Sequence, residues 1–327
     1  MVPPVASLDL LVLGQLGLGL LLLVAGGDGF VRGSVAIARR LGLSPLLIGL
    51  TLVGFGTSTP ELLTSVQAAL AGSPGIAVGN VVGSNTANIL LILGLAALVQ
   101  PLRTQPEAFK RDGTVVLLAA LACLGVVMLG EIGRPAGLAL VAGLLAYIGY
   151  TYYQETRTPD ASAAMHEAEA ALEPRPQRLW LAILFTTGGL AAVLLGAGLL
   201  VESAIALAAS AGISETVIGL TVVAIGTSLP ELTVSLVAAF RRQADVAFGN
   251  IVGSNIYNVL GILGITALVT PVAVPAEIIR LDIWVMLAAT LLLLGFAVTG
   301  WRVSRTEGAV LLAAYAAYLA TLFAWVA

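Results

Sequence analysis

The sequence predicts an all-α integral membrane protein whose ten transmembrane helices form two inverted five-helix repeats, with broken helices at the midplane. Three observations carry this prediction: the composition, an internal repeat and the placement of the basic residues. Of the 327 residues, 59% are hydrophobic and only 10% are charged, whereas about a quarter are charged in soluble domains. This composition excludes a soluble globular protein and indicates one embedded in a bilayer.

Apolar stretches long enough to span a bilayer recur along the whole chain. A hydrocarbon core of roughly 30 Å needs about 20 helical residues. No Lys or Arg precedes the first stretch and no small-residue cleavage site follows it, so it is expected to be retained and to extend past Ala25 as a tilted helix. The predicted spans are Leu10–Ala25, Pro45–Ala71, Gly75–Val99, Thr114–Leu129, Pro135–Tyr153, Leu179–Leu200, Thr216–Phe240, Val246–Val269, Ile283–Thr299 and Gly308–Val326.

The basic residues fall almost entirely in alternate loops. With ten spans, thirteen of the fifteen Lys and Arg residues lie on one side, and only Arg134 and Arg280 lie on the other. Cytoplasmic loops carry such an excess, so the bias predicts a multi-pass protein of the cell's inner (plasma) membrane with both termini outside. The thirteen cytoplasmic residues are Arg32, Arg39, Arg40, Arg103, Lys110, Arg111, Arg157, Arg175, Arg178, Arg241, Arg242, Arg302 and Arg305.

The two halves of the chain repeat each other at a constant offset of 170 residues, with no insertion from Gly42/Gly212 to Pro101/Pro271, and about half of the positions in that stretch are identical. Because five spans is an odd number, the second copy must be inverted in the bilayer, which is the plan of many secondary transporters. The predicted division is a first repeat at 1–153, a cytoplasmic linker at 154–178 and a second repeat at 179–327. The matched pairs include Glu61/Glu231, Pro60/Pro230, Asn80/Asn250, Ser84/Ser254, Asn88/Asn258 and Pro101/Pro271.

Each repeat places a carboxylate directly after a proline inside an apolar run, as GFGTSTPELLTS (54–65) and as AIGTSLPELTVS (224–235). An acid inside a bilayer costs about 2.5–3.5 kcal/mol on insertion scales and usually marks an ion or proton path. A structural Glu bonded to a neighbouring helix is the alternative, but two acids at equivalent positions favour function.

Proline should also break the helix just before each acid. Pro60 lacks an N–H and its ring crowds the carbonyl of Gly56, so backbone oxygens are freed and need protein, water or ions as partners. Thr57 and Ser58 lie close enough to Glu61 to gather hydroxyl, carbonyl and carboxylate oxygens on one side. The second repeat offers the same groups from the opposite direction, in Thr227, Ser228 and Glu231.

The next span of each repeat carries polar residues at steps of four, which stacks them on one helical face. In GNVVGSNTAN these are Asn80, Ser84 and Asn88, and in GNIVGSNIYN they are Asn250, Ser254 and Asn258. Such side chains can simply hydrogen-bond helices together. A polar face running toward two acids nevertheless favours a ligand role for Ser84, Asn88, Ser254 and Asn258.

The predicted inventory is two carboxylates with hydroxyl, amide and backbone oxygens, and it contains neither His nor Cys. Such a set suits a hard cation, and Ca²⁺ accepts six to eight oxygens in flexible geometry, whereas Mg²⁺ keeps its waters. Without a divalent ion the two like charges would need a proton or monovalent ions. Exchange of Ca²⁺ for Na⁺ or H⁺ follows from this need for compensation.

The pair GTSTPEL and GNVVGSNTAN, repeated as GTSLPEL and GNIVGSNIYN, resembles the paired alpha repeats of the calcium/cation antiporter superfamily, and within it the prokaryotic sodium/calcium exchangers. The resemblance covers essentially the whole chain. It implies Glu61 and Glu231 as the principal calcium ligands, and alternating access in which the first and sixth spans slide past a rigid core. It further implies calcium and sodium ligands at Thr57, Ser58, Thr227 and Ser228, and sodium ligands at Ser84, Asn88, Ser254 and Asn258.

One position departs from some relatives, which carry Asp where this chain has Asn258. The substitution argues against potassium coupling and leaves the site with one acid fewer than in those relatives. Sodium is the preferred counter-ion, and a proton-coupled antiporter of Ca²⁺ or another divalent cation is the alternative.

Two other classes of protein are less consistent with the sequence. An ion channel could use the same ligands, but a site between two broken helices suits alternating access better. A membrane-embedded hydrolase could use paired acids, but no Ser/His pairing or HExxH motif accompanies them. The expectation is therefore a transporter and no enzyme, with no cofactor and no nucleic-acid partner; its partners are the transported ions and membrane lipid.

Overall fold

A computed structural model describes residues 10–41, 54–104, 106–157, 178–240 and 244–324. Within these residues the regular structure is helical apart from four strands of two residues each, in agreement with the predicted all-α class. The predicted linker lies mostly outside the described residues, as does the first part of the predicted span Pro45–Ala71.

The helices are numbered here in chain order. In the first half they are α1 (Leu10–Arg40), α2 (Gly54–Gly56), α3 (Thr59–Leu70), α4 (Pro74–Val99), α5 (Pro106–Val127) and α6 (Arg134–Arg157). In the second half they are α7 (Leu179–Ala211), α8 (Glu215–Thr227), α9 (Leu229–Phe240), α10 (244–269), α11 (Ile278–Val298) and α12 (Arg305–Ala324). The strands are β1 (Leu102–Arg103), β2 (Glu131–Ile132), β3 (Val272–Ala273) and β4 (Arg302–Val303).

Seven of the described helices are long and apolar enough to cross a membrane, and the bent pair of α8 and α9 would make an eighth. Two predicted spans are therefore missing from this count. One is Pro45–Ala71, of which only the part from residue 54 is described. The other is Thr114–Leu129, which lies almost entirely within α5, a helix whose first turns carry Lys110, Arg111 and Asp112. The chain is thus a multi-pass membrane protein.

The first and seventh helices extend beyond the predicted bilayer spans. α1 runs without interruption past Ala25 to Arg40, in agreement with the expected extension, and α7 continues to Ala211, 11 residues beyond the predicted end at Leu200. Gly212 ends α7 in the left-handed conformation (φ 65°), which glycine adopts at little cost. Each long helix exceeds what the hydrocarbon thickness requires.

Helices α1 and α7 pack against each other along their length, through glycines spaced seven residues apart. A Cβ atom added at Gly26 would lie 2.9 Å from the carbonyl oxygen of Gly189, and one added at Gly196 would lie 2.8 Å from that of Gly19. Only glycine permits this approach of the two backbones. The two long helices therefore form one closely fitted pair.

Helices α4 and α10 form the centre of the bundle. Most of each is buried inside the protein, whereas α1, α6 and α12 are mostly exposed. α4 packs against α3 and α8, and α10 packs against α9 and α5. The polar faces predicted in the repeated motifs therefore lie in the protein interior and not against lipid.

Two small antiparallel ladders tie the halves together outside the helices. β1 pairs with β4, with Leu102 opposite Val303 and Arg103 opposite Arg302, and β2 pairs with β3, with Ile132 opposite Val272. Each ladder joins a loop of the first half to a loop of the second half. The charge pattern assigns the partners in each ladder to the same side of the membrane, and their pairing agrees with that assignment.

Candidate cation-binding site

Both prolines of the repeated motif follow a helix break, as the sequence predicts. Thr57 and Ser58 separate α2 from α3, and Pro60 lies in the first turn of α3, where its missing N–H costs no hydrogen bond. In the second half Ser228 separates α8 from α9, whose axes differ by 48°. Each break brings a glutamate into the first turn of the following helix.

The two glutamates face each other across the halves and accept hydrogen bonds from the opposite serines. The Ser58 hydroxyl donates to Glu231 Oε1 at 3.0 Å, and the Ser228 hydroxyl donates to Glu61 Oε1 at 3.1 Å. Both glutamates are 1% exposed, and they lie near enough to interact with each other. The two half-sites are therefore joined into one, with both acids buried in the protein interior.

The threonines of the breaks also reach the site. Thr227 donates to Asn80 Oδ1 at 3.0 Å and lies near Glu61. Thr57 lies beside Glu231, yet its hydroxyl makes no hydrogen bond of good geometry within the described residues. The structure thus gathers all six predicted residues of the two breaks: Thr57, Ser58, Glu61, Thr227, Ser228 and Glu231.

The first residue of each polar stripe holds a break in place. Asn80 donates to the backbone oxygen of Glu61 at 3.2 Å and to Ser65 Oγ at 2.9 Å. Asn250 repeats this with Glu231 at 3.3 Å and Ser235 at 3.0 Å. The carbonyls of both glutamates are thus bound to protein, and the two asparagines act as supports.

The remaining stripe residues lie in the interior on the central helices. Ser84, Asn88, Ser254 and Asn258 are all 2% exposed or less. Ser84 donates only a long bond of 3.5 Å, to the carbonyl oxygen of Ala224 on α8. Asn88 donates to Asn255 Oδ1 at 3.3 Å, whereas neither polar atom of the Asn258 side chain has a partner among the described residues.

Both central helices change from α-helical to π-helical geometry near the last asparagine of the stripe. The π-helical segments run over Asn88–Leu93 in α4 and over Tyr257–Leu263 in α10. Such segments are rare and frequently occur at functional sites. They turn the residues that follow relative to a regular helix, which a spacing of four along the sequence does not anticipate.

Five oxygens of predicted site residues are buried without a hydrogen-bond partner in the part of the chain that the structure describes. Buried polar atoms are paired in the great majority of cases, so this cluster of unpaired oxygens indicates that a partner binds there. Carboxylate, amide and hydroxyl oxygens are the ligands that Ca²⁺ and other hard cations take. The five atoms are Thr57 Oγ1, Glu61 Oε2, Asn88 Oδ1, Glu231 Oε2 and Asn258 Oδ1.

Among the described residues, no group of three or more His, Cys, Asp or Glu side chains is placed so that it could hold a metal ion. The site therefore has two acids, and its other donors are neutral. Its charge matches one divalent cation, as the sequence predicts.

The sequence analysis missed two asparagines of the repeated GSN sequence. Asn255 accepts the hydrogen bond of Asn88 and leaves its own amide nitrogen unpaired among the described residues. Asn85 likewise leaves its amide oxygen unpaired there while donating to Val81. Both are buried. Their repetition in the two motifs was the available signal, but they fall outside the steps of four that define the stripe.

The family assignment rests on the whole chain. The model of the family described as sodium/calcium exchanger protein matches twice, over residues 11–154 and 181–324. The two matched segments begin 170 residues apart, which is the offset of the repeat. The chain belongs to the sodium/calcium exchanger family, a family of transporters.

Individual relatives match over nearly their full length. The chain is 38% identical to sodium/calcium exchanger MaX1 of Methanosarcina acetivorans, covering 94% of this chain and 97% of the relative. It is 36% identical to inner membrane protein YrbG of Escherichia coli, covering 96% and 97%. A solved structure of the sodium-calcium exchanger NCX_Mj, soaked with Na⁺ and Sr²⁺, is 34% identical, with a TM-score of 0.65 and coverage of 95% and 98%.

Proposed function

We propose that this protein is a secondary active antiporter that exchanges Ca²⁺ for Na⁺ across the membrane by alternating access. The observation that carries the proposal is the pair of buried glutamates, each held by a serine of the opposite half and each with one oxygen unpaired among the described residues. The names of MaX1 and NCX_Mj support the same exchange.

In this proposal Ca²⁺ lies between Glu61 and Glu231, whose two charges it neutralises. Hydroxyl and backbone oxygens of the breaks complete its shell, from Thr57, Ser58, Thr227 and Ser228. Sodium ions use the oxygens farther along the central helices, at Ser84, Asn88, Ser254 and Asn258. Because the acids repel each other when both are charged and unoccupied, cations of one kind must replace those of the other, and this coupling makes the cycle an exchange.

The finer architecture belongs to the same proposal. Ten spans would form two inverted repeats, at 1–153 and 179–327, with 154–178 as a cytoplasmic linker. The reciprocal contacts support a two-fold relation between the halves: Ser58 with Glu231 mirrors Ser228 with Glu61, and the β1–β4 ladder mirrors the β2–β3 ladder. With an odd number of spans in each repeat, the two repeats would be inverted relative to each other. The site at their interface would then lie near the midplane and open to either side in turn.

The location proposed is the inner (plasma) membrane, with both termini outside and the basic loops in the cytoplasm. The basic bias supports the orientation. The name of the relative YrbG supports the membrane.

The second candidate is exchange of Ca²⁺ or another divalent cation for H⁺. It is favoured by one specific feature, the neutral Asn258 at a position where an acid would strengthen a sodium site. In a proton-coupled cycle Glu61 and Glu231 would themselves carry the protons, and the unpaired oxygens of Asn88 and Asn258 would hold water.

The test is uptake of ⁴⁵Ca²⁺ into proteoliposomes containing the full chain, with an outward gradient of Na⁺, an outward gradient of H⁺ or no gradient. Sodium-driven uptake that saturates with Ca²⁺ is the expected result. Uptake driven by protons alone would replace the sodium proposal with the second candidate. Calcium flux that needs no opposing ion and does not saturate would indicate a channel and overturn both.

A further inference from the structure

One feature outside the ion site is the β1–β4 ladder, which places two arginines directly opposite each other. Arg103 is the register partner of Arg302, and both are exposed. Directly opposed residues of an antiparallel pair have Cβ atoms about 4.5–5.5 Å apart, and like charges there destabilise the pairing. The two positive charges therefore lie where their repulsion destabilises the pairing of β1 with β4.

Neither arginine makes a side-chain hydrogen bond or ion pair within the described ranges. Two acids that follow these strands in the sequence have partners of their own. Asp112 is paired with Arg111 at 2.7 Å, and Glu307 accepts from Ser304 at 2.7 Å. Two guanidinium groups thus share one small surface without an anion from the described part of the protein.

Other arginines near the helix ends do have hydrogen-bond partners. Arg305 donates to the carbonyl oxygens of Leu98 and Val99, at the end of α4, and Arg134 donates to that of Leu268 near the end of α10. Those two cap helix carbonyls. Arg103 and Arg302 cap no carbonyl within the described ranges, and the other ladder has Glu131 opposite Ala273, so the arginine pair is confined to one of the two ladders.

The ladder is also held in an unusual conformation. Trp301, directly before Arg302, has φ 53°, which is uncommon for a residue with a bulky side chain and costs free energy. Its ring packs against Phe109, with ring centroids 6.3 Å apart, and Phe109 packs against Phe248 at 5.7 Å. Phe248 lies on α10, the central helix of the ion site, so the aromatic residues connect the arginine pair to that helix.

We propose that Arg103 and Arg302 form a binding site for a phosphate group, carried by the headgroup of an anionic phospholipid. Guanidinium groups bind phosphate oxygens through paired N–H donors, and basic pockets at the ends of membrane helices bind anionic headgroups. The bound phosphate would remove the repulsion across the ladder and stabilise the contact of β1 with α10. Trp301 lies between α11 and α12, and tryptophan is enriched at membrane–water interfaces.

The test is thermal unfolding of the full chain in detergent, titrated with phosphatidylglycerol or with phosphatidylcholine, whose phosphate is neutralised by choline. We expect phosphatidylglycerol to raise the Tm in a saturable way and phosphatidylcholine to leave it nearly unchanged. The double variant R103Q/R302Q should lose the rise. The matched control R157Q/R178Q removes two arginines assigned to the same side and should keep it, and native mass spectrometry should show the lipid retained by the control and lost by the ladder variant.

If R103Q/R302Q does not fold, the single variants R103Q and R302Q are used instead, and each should weaken the rise. An equal rise in the ladder variant and the control would overturn the proposal, because it would indicate a general effect of negative charge. A third arm replaces the lipid by inorganic phosphate. A rise with inorganic phosphate and none with phosphatidylglycerol would overturn the assignment to a lipid.

Discussion

Each glutamate of the site has one oxygen held by the protein and one left free. Ser228 binds Oε1 of Glu61 and Ser58 binds Oε1 of Glu231, while both Oε2 atoms are buried without a partner among the described residues. A serine hydroxyl fixes the orientation of a carboxylate without neutralising it. The arrangement positions the charge, and in the proposed function a transported cation compensates it.

The first prediction concerns that charge. Glu61→Gln and Glu231→Gln should each lower ⁴⁵Ca²⁺ exchange by at least about tenfold, since a hydrogen bond or contact to a charged group contributes about 1.5–3 kcal/mol and about 1.4 kcal/mol is tenfold. Glutamine keeps the oxygen that accepts from serine, so the fold should persist. The control is Glu131→Gln, an exposed acid of β2, which should exchange normally. Normal exchange by either site variant would refute the ligand assignment.

The second prediction concerns Asn258, whose amide is unpaired at both polar atoms among the described residues. Asn258→Asp breaks no described hydrogen bond and adds a third acid to the site, so it should lower the Na⁺ concentration needed for half-maximal calcium exchange, or introduce dependence on K⁺. Asn88→Asp is the comparison, because that substitution loses the donor to Asn255 and should be less well folded. Unchanged cation dependence in Asn258→Asp would rule out a role for this residue in monovalent binding.

At the residue scale the sequence singles out the candidate site residues whose chemistry is unusual, and the structure places them together. An acid after a proline in an apolar run has few explanations, so Glu61 and Glu231 could be identified directly. The sequence left the role of Asn80 and Asn250 open, since an amide that supports a backbone carbonyl and one that faces an ion look the same in a sequence. Asn255 was missed for a different reason: it falls outside the steps of four, and its contact with Asn88 crosses from one half of the chain to the other.

Among the elements, the residues that break the helices differ from those that allow α1 to pack closely on α7. Proline and the small polar residues before it predict the breaks through local backbone chemistry. The packing of α1 on α7 depends instead on glycines that meet only after folding. The π-helical segments that begin at Asn88 and Tyr257 depend on neither, because the insertion of one residue into a helical turn leaves no fixed sequence signal. Helix existence could therefore be predicted, but not the local geometry of its polar face.

The third prediction tests the glycine contacts of α1 with α7. Gly189→Ala should lower the Tm and slow exchange, because its Cβ would lie 2.6 Å from the carbonyl oxygen of Gly26, and overpacking costs about 1–3 kcal/mol. The matched control is the adjacent Gly188→Ala. Gly188 is exposed, and a Cβ atom added there would meet no neighbouring group of the described residues within 4 Å, so alanine should stabilise the helix slightly.

If the two alanine variants unfold at the same temperature, the close contact of the long helices is not important for stability. If Gly189→Ala is less stable but exchanges at the normal rate, the pair is structural and does not move as a unit during transport. Reduced stability together with slow exchange is the expected outcome.

For the whole molecule, the duplication explains why the candidate site is built from two equivalent halves. Each half supplies a single acid and a set of neutral oxygens, and neither half could neutralise a divalent cation alone. The ladders and the exchanged serine contacts bring the halves together. The constant offset of the repeat made this symmetry visible in the sequence, whereas the partners of each contact became known only with the fold.

The last prediction tests the membrane topology through cysteine labelling. The native Cys123 is buried, so a membrane-impermeant maleimide should give little background on right-side-out vesicles. With ten spans and the termini outside, Ser210→Cys, near the exposed end of α7, should be labelled from outside. Lys110→Cys, exposed at the start of α5, should be labelled only after permeabilisation, because in the proposed topology it follows the third span on the cytoplasmic side. Labelling of both positions from one side would mean that the number of spans between them is even, and it would refute the inverted repeat.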